Sequence, residues 1–149
     1  MTKSYFVLIS ACLLLISGCF NDSESTTVPT SQNSVLVIYQ RSGGFAGLRD
    51  QLTIYSNGRC ELQRKGVERE FTIEPSQLAH LEELMEEANF LDLKEEHLPT
   101  NIGADFFEYV ISYQAEEGKM HSVRTMNGAV PDALQPILNE LNQIISSNS

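Results

Sequence analysis

Apolar residues between positions 35 and 73 recur mostly at every second place, and between 75 and 88 at every third or fourth. Those spacings separate half-buried strands from amphipathic helices. Val35-Leu36-Val37-Ile38-Tyr39 is β-branched and aromatic and predicts a buried first strand. Gln51 to Ser56 alternates, with Leu52 and Ile54 on one face, and Asn57-Gly58 then tolerates the positive φ angles of a tight hairpin turn. Arg59 to Arg64 returns with Cys60 and Leu62 facing the same way. Lys65-Gly66 turns again, and Glu68 to Ile73 adds a short strand with Phe71 and Ile73 inward.

Leu78, Leu81, Leu84, Met85 and Ala88 form a helical stripe, with Pro75 suited to its first turn and Ser76 placed to cap it. Phe90, Leu91 and Leu93 are expected to pack the helix exit, before a loop through Pro99 to Gly103. Asp105 to Gln114 reads as a long strand with Phe107, Tyr109, Ile111 and Tyr113 on one face and Phe106 and Val110 on the other. Apolar residues on both faces predict a central position in the sheet. Glu116-Glu117-Gly118-Lys119 turns the chain, Met120 to Met126 pairs back, and Asn127-Gly128 ends that strand. The last helix is expected near Asp132, with Gln135 as a capping-box partner, Pro136 in the first turn, and Leu134, Ile137, Leu138, Leu141, Ile144 and Ile145 buried. The order β-β-β-β-α-β-β-α predicts an α+β fold: an antiparallel sheet of about five to six strands packed by two α-helices.

Residues 1–18 form a different kind of segment. One Lys precedes the apolar run Tyr5 to Ile16, which is short for a membrane span, and small residues follow. Ile16-Ser17-Gly18-Cys19 resembles a bacterial lipobox. The resemblance implies cleavage before Cys19, lipidation of Cys19, and anchoring to a membrane of the bacterial cell envelope, with the choice of leaflet open. Each buried acyl methylene adds about 0.8 kcal/mol to such an anchor. Residues 19–33 are polar and small after Phe20 and have little to bury, so they read as a disordered tether with a span of roughly 20 Å. The folded domain is assigned to 34–149.

Composition narrows the chemistry. The chain has 149 residues and a formal charge of −10, from ten basic and twenty acidic side chains. An acidic domain has little with which to neutralise phosphates, which argues against nucleic acid as a partner. Of the three cysteines, Cys12 lies in the leader and Cys19 is the lipid site, so Cys60 is left without a disulfide partner and reads as a small buried hydrophobe. His80, His97 and His121 are far apart in sequence, without the spacing of a metal motif. Glu95-Glu96-His97 reads as a surface cluster, and Glu82, Glu83, Glu86 and Glu87 read as the solvated face of the first helix. No nucleophile, base and orienting group come together in the sequence, so the expected class is a non-enzyme with no cofactor and no metal.

Ser42-Gly43-Gly44-Phe45-Ala46-Gly47-Leu48 stands apart from this plain reading. Its glycines allow unusual backbone angles and close approach of another chain. Phe45 and Leu48 are then either tucked onto their own sheet or presented to a partner; the residues alone favour tucking.

Five stretches together resemble the emfourin-like proteins. They are Ser42 to Leu48, Tyr55-Ser56-Asn57-Gly58-Arg59, Pro75-Ser76-Gln77-Leu78, Asp105-Phe106-Phe107-Glu108-Tyr109 and Val123 to Pro131. The similarity extends from about Ser34 to Ile145. Emfourin inhibits protealysin, a thermolysin-like zinc metalloprotease, and the resemblance implies a compact inhibitor that blocks such an enzyme's cleft. Enzymes of that type favour a bulky apolar residue just after the scissile bond. The implied protease-binding loop is Ser42, Gly43, Gly44, Phe45, Ala46, Gly47 and Leu48, with Phe45 and Leu48 as anchors and the glycines shaping the backbone. The alternatives are a non-enzymatic envelope module that binds or assembles with another partner, and a small-ligand binder using the cleft between sheet and helices.

Overall fold

The computed structural model describes residues 34–101, 103, 105–115 and 118–149. The leader, Cys19, the tether and the Glu116-Glu117 part of a turn lie outside the described residues.

Seven strands form one sheet: β1 (Val35–Gly43), β2 (Leu48–Tyr55), β3 (Arg59–Arg64), β4 (Val67–Thr72), β5 (Glu96–His97), β6 (Phe107–Tyr113) and β7 (His121–Met126). Two helices, α1 (Pro75–Glu87) and α2 (Gln135–Ser147), complete an α+β fold. The spatial order is β4-β3-β2-β1-β6-β7-β5. β1 to β4 form the meander that the turn residues predict. Lys65 and Gly66 (φ 51° and 77°) form the two-residue turn between β3 and β4, whereas Ser56, Asn57 and Gly58 make a three-residue connection between β2 and β3 in which Gly58 alone takes a positive φ (82°). β6 lies between β1 and β7, in the central position expected of it.

The sheet is mixed rather than antiparallel. β5 pairs in parallel with β7, Glu96 opposite Arg124 and His97 opposite Thr125. Two residues are too few to show a period, so this strand reads as loop in the sequence. It is held by the Arg124 N–H donating to Glu95 O at 2.8 Å and by an ion pair of 3.5 Å between Arg124 and Glu96.

Register places Val37, Tyr39 and Arg41 of β1 beside Ile54, Leu52 and Asp50 of β2 and beside Tyr113, Ile111 and Tyr109 of β6. This face meets Leu81 and Met85 of α1 and Ile137, Leu138, Leu141, Ile144 and Ile145 of α2, all buried. Phe90 closes one end, with its ring edge-on to Tyr113 and His121 at 5.9 Å from each. Cys60 is fully buried on β3, and burial pushes its thiol up to about 11. The opposite face carries Gln40, Gln51, Gln63, Ser112 and Ser122, and no described helix covers it.

Three local expectations are corrected. α1 starts at Pro75 behind an extended Glu74, so Ser76 lies inside the first turn and caps nothing. A 3-10 turn over Asp132–Leu134 precedes α2, and no side-chain cap forms there either. Leu91 is 48% exposed, because Asn89 adopts a left-handed conformation (φ 46°) and the following 3-10 turn directs Phe90 inward instead.

Candidate functional site

The glycine-rich stretch is shorter as a loop than its composition suggests. β1 continues through Arg41, Ser42 and Gly43, and β2 begins at Leu48. Only Gly44, Phe45, Ala46 and Gly47 form the turn. Ser42 and Gly43 are therefore strand residues, paired with Arg49 and Leu48 on one side and with Glu108 and Phe107 on the other. Pairing on both edges outweighs the poor strand preference of glycine.

The turn is held from three directions. The Gly47 N–H donates to Gly44 O at 3.0 Å, and the Gly44 N–H donates to Phe106 O at 3.2 Å. The Phe45 N–H donates to Asp105 Oδ1 at 3.1 Å. Gly43 has φ 122°, and a Cβ there would lie 2.2 Å from Phe106 O. At Gly44 (φ 68°) a Cβ would lie 2.8 Å from the Phe107 ring. The two glycines let β6 and its Phe107 ring press against the turn from below.

Phe45 projects from this support and is 83% exposed, more than any other large apolar side chain among the described residues. The expectation that it tucks onto its own sheet is overturned: the space beneath the turn belongs to Phe107. Leu48 is half-buried in β2, so the two expected anchors differ, one presented and one partly covered. Ala46 and Gly47 are exposed beside Phe45.

Beneath the hairpin lies a charge cluster that the sequence does not reveal. Asp50, 1% exposed, receives a bond of 2.7 Å from Arg41 Nη2 and lies 3.4 Å from Arg64 Nε. Arg41 Nη1 donates to Asn142 Oδ1 of α2 at 2.8 Å, and the Tyr39 hydroxyl donates to the same oxygen at 3.1 Å. Burial pushes the Tyr39 phenol far above its ordinary range, with nearby Arg41 opposing. Tyr109 is raised for the same reason, again opposed by Arg41. Asp50, Asn142 and Asp105 are all missed by sequence reasoning. An isolated Asp at a strand start looks solvent-facing, and only the register brings Asp50 under Arg41.

The other candidates do not converge. His80 lies 3.7 Å from Glu83 on the exposed face of α1, and His121 Nε2 lies 2.9 Å from Leu93 O. Among the described residues, no three His, Cys, Asp or Glu side chains gather closely enough to hold a metal. Glu83, Glu86 and Glu87 are exposed and Glu82 is half-exposed. No described helix is long and apolar enough to cross a membrane.

No protein-family model matches the chain, and no curated protein matches it. The geometry therefore carries the functional argument: a buttressed turn, a bare aromatic ring and a buried ionic base.

Proposed function

We propose that this chain is a non-enzymatic protein ligand that inserts Phe45 into the apolar cleft of a partner, and that the partner is a thermolysin-like zinc metalloprotease. The observation that carries the reading is the exposure of Phe45 on a turn already fixed by hydrogen bonds to Gly44, Phe106 and Asp105. A lone exposed apolar residue is ordinary by itself; Phe45 differs in standing on a turn whose backbone is already tied down. A turn fixed before binding loses little freedom on association. The emfourin-like stretches supply the class of partner, because such proteases take a bulky apolar side chain beside the scissile bond.

Lipidation at Cys19 belongs to the same proposal. The chain enters the sheet at Ser34, and β1 then runs nine residues to the Phe45 turn. That is about 30 Å of strand. An anchor preceding Ser34 therefore leaves the Phe45 end pointing away from its point of attachment.

The deciding experiment measures inhibition constants of wild type and Phe45→Ala against a panel of thermolysin-like proteases, beside thermal midpoints. Wild type is expected to inhibit competitively, and Phe45→Ala to weaken inhibition roughly thirtyfold, the usual cost of about 2 kcal/mol for truncating a central interface anchor. Wild type at micromolar concentration leaving the whole panel untouched would overturn the protease reading.

A further inference from the structure

The Phe45 turn is tied down at the one peptide bond that a docked metalloprotease would attack. With Phe45 in the pocket for the residue just after the scissile bond, that bond is the one joining Gly44 to Phe45. Hydrolysis there needs an extended chain, a Gly44 carbonyl oxygen that the zinc can polarise, and a Phe45 nitrogen free to depart. The turn opposes all three. Gly44 has φ 68°, which bends the chain out of extended geometry. Its carbonyl oxygen accepts the Gly47 N–H at 3.0 Å, and the Phe45 N–H donates to Asp105 Oδ1 at 3.1 Å. The Gly44 N–H is held as well, by Phe106 O at 3.2 Å. Two consecutive amides of the turn are thus tied to two consecutive residues, Asp105 and Phe106, that lead into β6. These are themselves fixed: the Phe106 N–H donates to Gly103 O at 3.3 Å, and the Phe107 N–H donates to Asn127 Oδ1 at 2.8 Å. The ring of Phe45 is exposed while both sides of its peptide bond are engaged.

We infer that Asp105 is a positioning residue that makes the Phe45 turn a ligand of the protease rather than its substrate. The inference rests on Phe45 being the docking element and adds how the turn survives docking. In hydrolysis the oxygen of a water bonds to the Gly44 carbonyl carbon, the bond from that carbon to the Phe45 nitrogen breaks, and both water protons end on that nitrogen. The products are a Gly44 carboxylate and a Phe45 ammonium. Asp105 acts against this at two points. Before the cut, opening the turn forfeits the bond from the Phe45 N–H to a charged carboxylate. After the cut, the new ammonium lies against that carboxylate, and Phe106 keeps Gly44 alongside. Held ends rejoin faster than free ones, because the reverse reaction is intramolecular. The bonds from the Gly44 and Gly47 amides go to main-chain oxygens, so Asp105 can be removed with β1 and β6 still paired.

The test incubates the full chain in neutral detergent with thermolysin and follows, by mass spectrometry, the fragment whose amino terminus is Phe45. Cuts elsewhere do not enter the measurement. Asp105→Ala is expected to release this fragment roughly tenfold faster than wild type, the loss of one charge-assisted hydrogen bond. Asp105→Asn keeps an oxygen that accepts the Phe45 N–H and should restore most of the resistance. Leu141→Ala weakens the buried core instead, and its early cuts should fall elsewhere. Thermal midpoints accompany each variant. Wild type cut as fast as Asp105→Ala, Asp105→Asn cut as fast as Asp105→Ala, or Leu141→Ala matching Asp105→Ala at this bond would overturn the assignment. The docking reading is measured separately, by inhibition. Inhibition with an Asp105→Ala chain that stays uncut removes the role of Asp105 and keeps the inhibitor. Resistance that depends on Asp105, with no protease inhibited, removes the inhibitor and keeps the protected bond.

Discussion

Gly43 and Gly47 are both glycines of one hairpin, yet they face opposite constraints. A methyl group at Gly43 would collide with the Phe106 carbonyl, and the backbone there has φ 122°. A methyl at Gly47 meets open space, with φ 59°. Gly43→Ala is expected to cost about 3 kcal/mol, from backbone strain plus a displaced strand, and Gly47→Ala about 1 kcal/mol from strain alone. Urea denaturation of the two variants checks the difference; equal losses would remove the argument that β6 buttresses the turn. Phe45→Ala belongs beside them as a variant of unchanged stability, within about 0.5 kcal/mol, because its ring touches little.

Cys60 and Tyr39 give residue-scale predictions in pH. Burial raises the Cys60 thiol from 9.0 to about 11, so between those values the unfolded chain has released a proton that the folded chain retains. The unfolded state is then favoured as pH rises, and stability falls through this window. Tyr39, raised far above 10.0, extends the fall to higher pH. The midpoint of chemical denaturation should therefore drop steadily above about pH 9, and Cys60→Ala should flatten the first part of the drop. Alkylation of native Cys60 at pH 8 should track global unfolding, in keeping with its complete burial. Rapid labelling of the native protein would contradict that burial.

At the scale of elements, the contact that matters most is between α2 and the base of the β1–β2 hairpin. Asn142 accepts from both Arg41 and Tyr39, and Arg41 continues to Asp50. Asp50→Ala leaves Arg41 without its carboxylate and is expected to cost about 3 kcal/mol. The paired change Arg41→Met/Asp50→Leu should recover most of that loss, since two apolar residues require no compensation for desolvation. A double-mutant cycle by thermal denaturation measures it; a double variant as unstable as the sum of the singles would deny the coupling. The acidic face of α1 offers the contrast. Glu83→Gln and Glu86→Gln alter exposed positions and should change stability by less than about 0.5 kcal/mol.

Across the whole molecule, charge is unevenly placed. Exposed carboxylates crowd α1, while Arg49 and Lys65, exposed and without an ion pair among the described residues, stand at the Phe45 end of the sheet. The proposed lipid anchor would enter from the far end of β1. Cys19→Ala should release the protein from the membrane fraction or leave it unprocessed, which fractionation and electrophoretic mobility report directly. A variant that partitions and migrates like wild type would rule out the lipid anchor.

The elements were legible wherever a local rule governs them. Asn57-Gly58 and Lys65-Gly66 fix tight turns because glycine accepts positive φ, and the stripes of α1 and α2 fix their buried faces because burial repeats with the helical turn. Tertiary structure alone decided what depends on distant partners. Pairing with β2 and β6 turned Ser42 and Gly43 from loop into strand, and β7 recruited two residues as a parallel edge that no period could announce. The site followed the same division. Its glycines and aromatic residue stand out in the sequence, but the exposure of Phe45 depends on Phe107 occupying the space beneath it. Asp50 became the buried base of the hairpin only because register and α2 bring Arg41, Arg64 and Asn142 around it. Local chemistry is written in neighbouring residues; which surface is left bare is settled only once the rest of the chain has filled the space below.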